Sequence, residues 1–251
     1  MKNPKKNYIK RMMFAALFAA LTAAVSPIKI PLGFTPVPIT LQTLMVLLAG
    51  ALLGANLGAL SQFLYVLVGA LGLPVFAGGS SGFGALLGPT GGYLMSYPFA
   101  AFAVGFLISR KSKIIHYIAG AMIAFLVLIA YADLILGLEI MKYGKSSLVS
   151  LMTSGQRMIL VFASLAVIAV LFYFIVHYHK QKKVHAATIF AMFAGTVIIY
   201  VFGAVYGKIV TGLSWGAVFV GWVLPFIIGD TVKLMIAAYI AAHTNLNRYL
   251  K

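Results

Sequence analysis

The sequence predicts an all-α fold, a polytopic helical bundle embedded in a membrane. Three observations carry this. Hydrophobic residues make up 63% of the 251 and charged residues 9%, whereas a soluble domain is about half apolar and about a quarter charged. The apolar residues gather into runs close to the ~20 needed to cross a bilayer. The basic residues sit in short clusters between those runs, where topology signals lie. The formal net charge of +16 is therefore no nucleic-acid footprint.

Eight spans are expected: 9–26, 39–55, 57–73, 91–109, 114–137, 158–178, 186–208 and 215–243. The first follows a basic stretch, Met1 to Arg11, and ends at the small residues Ala23-Ala24-Val25-Ser26. Secretory signal peptides share that pattern, but the rest of the chain is polytopic, so the segment reads as a retained helix. The second and third spans are short and are divided only by the glycine turn Gly54-Ala55-Asn56-Leu57-Gly58. A glycine-rich loop, Gly69 to Gly92, leads into the fourth. The fifth and sixth flank the longest polar stretch, roughly Glu139 to Arg157, and the seventh follows Lys180, Lys182 and Lys183. The last lies in an apolar run from Ala217 to Ala242, interrupted by Pro225, Asp230 and Lys233. No soluble domain or long linker is visible, so residues 1–251 read as a single membrane domain.

Charge sets the orientation. With the N-terminus in the cytoplasm and the spans alternating, thirteen basic residues fall inside and five fall outside, namely Lys29, Lys142, Lys145, Arg157 and Lys208. Lys and Arg favour cytoplasmic loops, so an even number of spans with both termini inside is expected. Removing a pair of spans leaves the bias intact, so six also satisfies it.

Composition narrows the chemistry. The three carboxylates are Asp133, Glu139 and Asp230, there is no Cys, and the five histidines flank spans. A membrane-embedded hydrolase or transferase needs paired carboxylates, a metal set or an activated nucleophile. Little here can build one, so no enzyme, catalytic residue, metal site or cofactor is expected. A carrier working alone by titration of Asp230 is a second rival. Uncoupler-sensitive uptake by the isolated chain would distinguish it.

Asp230 and Lys233 are three apart, hence on one helical face, just after a proline that can kink the helix. Ionisable groups inside a bilayer are costly and face a cavity or a partner. The two form either a structural ion pair or a clamp for a small polar ligand. Gln42, at the outer end of the second span, can donate and accept at once, or can simply be solvated at the interface. The glycine loop is too apolar for disorder and reads as a lid over a pocket, with a plain connection as the alternative. It lacks the lysine and hydroxyl residue that follow a phosphate-cradling loop. On the first helix, Ala15, Ala19 and Ala23 repeat every four residues, as do Ala16, Ala20 and Ala24. Small residues allow close helix approach in lipid, either within the chain or against another membrane subunit.

Four segments in order carry a resemblance to a family: VPITLQTLMVLLAG (37–50), GALGLPVFAGG (69–79), GPTGGYL (88–94) and LPFIIGDTVK (224–233). They resemble BioY, the biotin-specific substrate-binding subunit, or S component, of energy-coupling-factor (ECF) vitamin transporters. The alanine strip resembles that family's Ala-x-x-x-Ala face. The resemblance implies a six-helix membrane protein that captures biotin from outside. It also implies a transmembrane coupling subunit and two cytoplasmic ABC ATPases as partners, with ATP used only by the latter. The family-like core covers 8–110 and 185–245, and 111–183 reads as a two-helix insertion that departs from the family pattern.

Biotin carries a cyclic urea, a thioether and a valerate carboxylate. Asp230 can accept from the urea N–H groups, Lys233 can donate to its carbonyl, and Gln42 can supplement either. Phe76, Phe83, Tyr93 and Tyr97 are candidates to line the apolar part. In the alternative assignment Lys233 meets the valerate carboxylate, and the sequence leaves both open.

Overall fold

The computed structural model of the chain describes residues 4–109 and 186–244. The expected fifth and sixth spans lie outside the described residues. So do Asp133, Glu139, His116, His177, His179, His185 and the basic clusters at 110–113 and 180–183.

The first helix, α1 (Pro4–Val25), ends one residue before a proline-rich segment in which Pro27, Pro31, Pro36 and Pro38 forbid a helix by withholding N–H donors. That segment is not purely a loop. Lys29–Ile30 (β1) and Ile39–Thr40 (β2) pair antiparallel, Lys29 opposite Thr40. This small hairpin departs from the all-α expectation. It also delays the second helix, expected from 39, to α2 (Gln42–Leu53). Helix α3 (Ala55–Ala70) follows after Gly54 alone. Gly54 adopts φ +81°, which a side chain with a Cβ rarely tolerates. The loop after α3 contains a single turn at Ala77–Gly79 and the one-turn α4 (Phe83–Leu87). Then come α5 (Gly91–Ser109) and, beyond the undescribed stretch, α6 (Ala186–Thr211).

The last segment, expected as one span, is broken. A turn of helix, α7 (Trp215–Val218), passes into a widened turn at Phe219–Val223, a tight turn at Leu224–Phe226, and then α8 (Ile227–His243). Pro225 accounts for the break: it has no N–H to offer the carbonyl four residues back, which is that of Gly221.

Among the described residues, four segments are long and apolar enough to cross a membrane: Asn7–Val25, Gly91–Ser109, Ala187–Thr211 and Trp215–His243. The 12 residues of α2 reach about 18 Å at ~1.5 Å each, well short of the ~30 Å hydrocarbon layer. The chain is thus a mostly helical, multi-pass membrane protein.

Small residues bring the helices together, as expected where lipid supplies no hydrophobic drive between them. A Cβ on Gly50 would strike the Ala101 carbonyl, and one on Gly58 would lie 2.9 Å from the Ala49 carbonyl. On Gly92 it would strike the Phe202 carbonyl. The most extensive helix pairing joins α5 to α6. Among the described residues, the buried ones divide into two clusters. One is aliphatic, with Leu47, Leu48, Leu52, Val104, Met192 and Leu234. The other is aromatic, with Tyr65, Phe76, Tyr93, Tyr97, Trp222 and Phe226. The candidate site opens in the aromatic end.

Candidate binding cavity

A cavity of about 320 Å³ lies where the hairpin, the loop after α3, the N-terminal turns of α2, α5 and α8 and the middle of α6 meet. This is the lower end of the roughly 300–1,000 Å³ range of small-molecule sites. Its apolar wall includes Val37, Phe76, Leu94 and Phe226, and its polar groups form two clusters.

The first is built on α8. Asp230 lies in the first turn of that helix, where the helix dipole favours a carboxylate. Lys233, one turn on, sits 2.6 Å from Asp230 Oδ1. The residues are 4% and 7% exposed. Thr43 Oγ1 donates to the same oxygen at 3.0 Å, Tyr200 donates to Oδ2 at 2.8 Å, and Lys233 also donates to Thr43 at 3.3 Å. A carboxylate offers about four acceptor positions and an ammonium three donors. Among the described residues three positions and two donors are used, so one acceptor position, on Oδ2, and one Lys233 donor remain. That is the complement of a neutral group that both donates and accepts.

The second cluster is built on Gln42. Its amide N–H groups go to Tyr65 (2.8 Å) and Ser26, and its oxygen accepts from Tyr97 (2.8 Å) and Thr40 (3.2 Å). Tyr65 in turn donates to the Val75 carbonyl at 3.0 Å. The amide is saturated: both donors and both acceptor positions are occupied. Gln42 therefore holds Tyr97 and Tyr65 in place and reaches a ligand only by releasing one of these bonds. Gln42 and Thr43, adjacent at the start of α2, serve one cluster each.

The roof follows from the loops. Phe76 is buried edge-on to Tyr65, with ring centroids 5.7 Å apart. It fits only because Gly69 has no side chain, since a Cβ there would enter its ring. Gly82 N donates to the Gly69 carbonyl at 2.7 Å, folding the loop back onto α3. The Gly221 carbonyl, to which Pro225 can offer no N–H, accepts from Thr35 Oγ1 at 2.7 Å. The break in the last span is therefore what anchors the proline-rich segment over the cavity. Tyr93 donates to the neighbouring Trp222 carbonyl, and the Trp222 indole to the Pro89 carbonyl at 3.2 Å.

Of the candidate site residues, Gln42, Phe76, Tyr93, Tyr97, Asp230 and Lys233 all line this one cavity. Phe83 does not. It opens α4 and is 66% exposed on the same side as Leu87, because Ala85 and Leu86 take the face of that short helix that packs on the aromatic cluster. The alanine strip divides. Ala15 is fully buried in the aliphatic cluster, and Ala19 and Ala23 pack against the aromatic one. Ala16, Ala20 and Ala24 stay exposed. Sequence reasoning did not pick out Thr43, Tyr200, Tyr65, Ser26 or Thr35. A tyrosine in an apolar run needs a partner for its hydroxyl when buried, which marks Tyr65 and Tyr200 as polar positions without revealing their partners.

Comparison with known proteins agrees with this architecture. The sequence model of the BioY family matches residues 1–171 and 135–249. The Biotin transporter BioY of Rhizobium etli is 31% identical over 209 residues, covering 83% of this chain and 78% of that one. The Biotin transporter BioY of Thermotoga maritima is 48% identical over 92 residues, covering 37% and 53%. In fold, the chain resembles the S-component for biotin from an ECF-type ABC transporter, with a TM-score of 0.63 and 21% identity over the full length of both. Family matches that together run from residue 1 to 249, and a 31% identical relative spanning most of both chains, establish that this chain belongs to the BioY family.

Proposed function

We propose that this chain is the biotin-binding S component of an ECF-type transporter, taking biotin from the outer side of the cell membrane. The observation that carries the reading is the Asp230–Lys233 pair, which is buried yet opens onto a cavity in a BioY-family chain. Its free acceptor and free donor match the N–H and carbonyl of a cyclic urea. Val37, Phe76, Leu94 and Phe226 suit the thioether ring and the methylenes. The chain acts in transport rather than catalysis. Energy comes from partners: a transmembrane coupling subunit and two cytoplasmic ATPases. The exposed Ala16, Ala20 and Ala24 form the face on which the coupling subunit docks.

The same reading gives a six-helix core over 8–110 and 185–245, with two further spans inserted at 111–183 in one membrane domain. It puts the cavity mouth outside and both termini in the cytoplasm. The distribution of thirteen basic residues inside against five outside supports that orientation.

The direct test is radiolabelled biotin binding to the purified chain, without nucleotide or partner. Saturable binding that thiamin and riboflavin do not compete is expected. Binding of either competitor in place of biotin would overturn the assignment. Orientation is tested by Gln181→Cys in this cysteine-free chain. Labelling of intact cells by an impermeant thiol reagent would refute cytoplasmic placement.

A further inference from the structure

We infer that Lys29 is the residue that recognises the ligand's carboxylate, at the mouth of the cavity. The inference rests on the biotin reading above and decides which end of the ligand each cation serves. Lys29 lies in β1 opposite Thr40. Directly paired residues of antiparallel strands project from the same face, and both of these line the cavity. The lysine is exposed, and its side chain lies across Gly78 in the roof loop. A Cβ on Gly78 would strike the ammonium and the last methylenes of Lys29. Gly78 also has φ +69°, so the loop turns sharply there and leaves a notch in which the lysine rests.

The charges around the cavity leave Lys29 over. Its charged lining residues are Lys29, Asp230 and Lys233. The last two neutralise each other at 2.6 Å. Among the described residues Asp230 is the sole carboxylate, and the Lys29 ammonium has no hydrogen bond or ion pair there. The cavity thus carries one uncompensated positive charge, at its outer rim and away from the neutral pair on its inner wall. A ligand that fits is neutral and polar at its inner end and anionic at its outer end. Biotin with its urea on Asp230–Lys233 and its valerate on Lys29 meets both demands. The reverse orientation would set a carboxylate against Asp230 and leave the rim cation unmatched.

The test compares biotin with its neutral carboxamide, using the purified full chain in nanodiscs of phosphatidylcholine, which carry no net headgroup charge. The wild type should prefer biotin by about tenfold to thirtyfold, the scale of one charge-assisted contact at a solvated rim. Lys29→Met should lower biotin affinity to the level of the amide and move the amide by less than about twofold. Lys29→Arg should keep most of the preference. Raising salt from about 0.05 M to about 0.5 M should shrink the preference in the wild type and not in Lys29→Met. Retained amide binding shows that the Met variant is folded. Biotin affinity unchanged in Lys29→Met, or biotin and amide lost alike, would overturn the assignment. A wild type that binds neither molecule would overturn the biotin reading itself, and the Lys29 role with it.

Discussion

Asp230 receives three side-chain donors from three helices: Thr43 on α2, Tyr200 on α6 and Lys233 on its own helix. Each donor requires an acceptor at its oxygen, and this makes the site sensitive to single-atom changes. Asp230→Asn puts an N–H₂ group where one carboxylate oxygen accepts, setting donor against donor, and leaves Lys233 without its counter-charge. Lys233→Ala leaves Asp230 with two hydroxyl donors and an open flank. Losing one half of a buried pair is costly, but the open cavity lets water in, so a loss of about 1.5–3 kcal/mol is expected for each, the range of a hydrogen bond to a charged group. Isothermal titration should show biotin binding weakened by about tenfold to hundredfold in both variants. Lys233→Ala should lose biotin and its amide equally, the opposite of Lys29→Met. Affinity like that of the wild type in both Asp230→Asn and Lys233→Ala would remove the pair from the site.

At the level of elements, the determining feature is the interruption between α7 and α8. In an unbroken helix each interior carbonyl already accepts an amide four residues on and offers the loop only its second lone pair. Pro225 removes one donor, the Gly221 carbonyl becomes available, and Thr35 closes onto it from 186 residues away in sequence. Local irregularity in the last span thereby ties down the segment that covers the cavity. Thr35→Val keeps the shape and removes the hydroxyl. A buried carbonyl without its donor costs about 1–3 kcal/mol, and the loop escapes that penalty by opening to water. Biotin should therefore dissociate about fivefold faster, with a smaller change in association. Stopped-flow tryptophan fluorescence reads this directly, because Trp222 sits in the same turn. An unchanged dissociation rate would mean that Thr35 does not hold the cover.

For the whole molecule, one helix presents two alanine faces. On α1 the Ala15, Ala19 and Ala23 line faces the chain's own core, while Ala16, Ala20 and Ala24, 100° away, remain exposed. If the exposed line docks the coupling subunit as proposed, the two lines separate folding from assembly. Ala15→Trp forces an indole into a filled site; overpacking costs about 1–3 kcal/mol and should lower the melting temperature. Ala20→Trp should leave the melting temperature and biotin affinity unchanged but hold a partner helix away. It should then fail to co-purify with the coupling subunit and ATPases. If Ala20→Trp assembles normally, the exposed line is simply a lipid-facing surface.

The amino-acid sequence by itself determined the membrane class, the main helical runs among the described residues and the polar positions Gln42, Asp230 and Lys233. The reason is that each is written locally. Apolar runs of bilayer length, glycine turns such as Gly54, and an acidic and a basic residue at i and i+3 in an apolar segment keep their meaning without knowledge of neighbours. The partners were decided only by the tertiary structure. Nothing local tells that Tyr200 meets Asp230, that Thr35 finds the carbonyl freed by Pro225, or that Gln42 spends all four of its hydrogen bonds on Ser26, Tyr65, Tyr97 and Thr40. The rotation of an element escapes sequence reading for the same reason. The apolar periodicity of a membrane helix does not separate its protein-facing side from its lipid-facing side, because both are apolar. Phe83 therefore looked like a pocket residue and proved to be exposed, and the alanine strip looked like one surface and proved to be two.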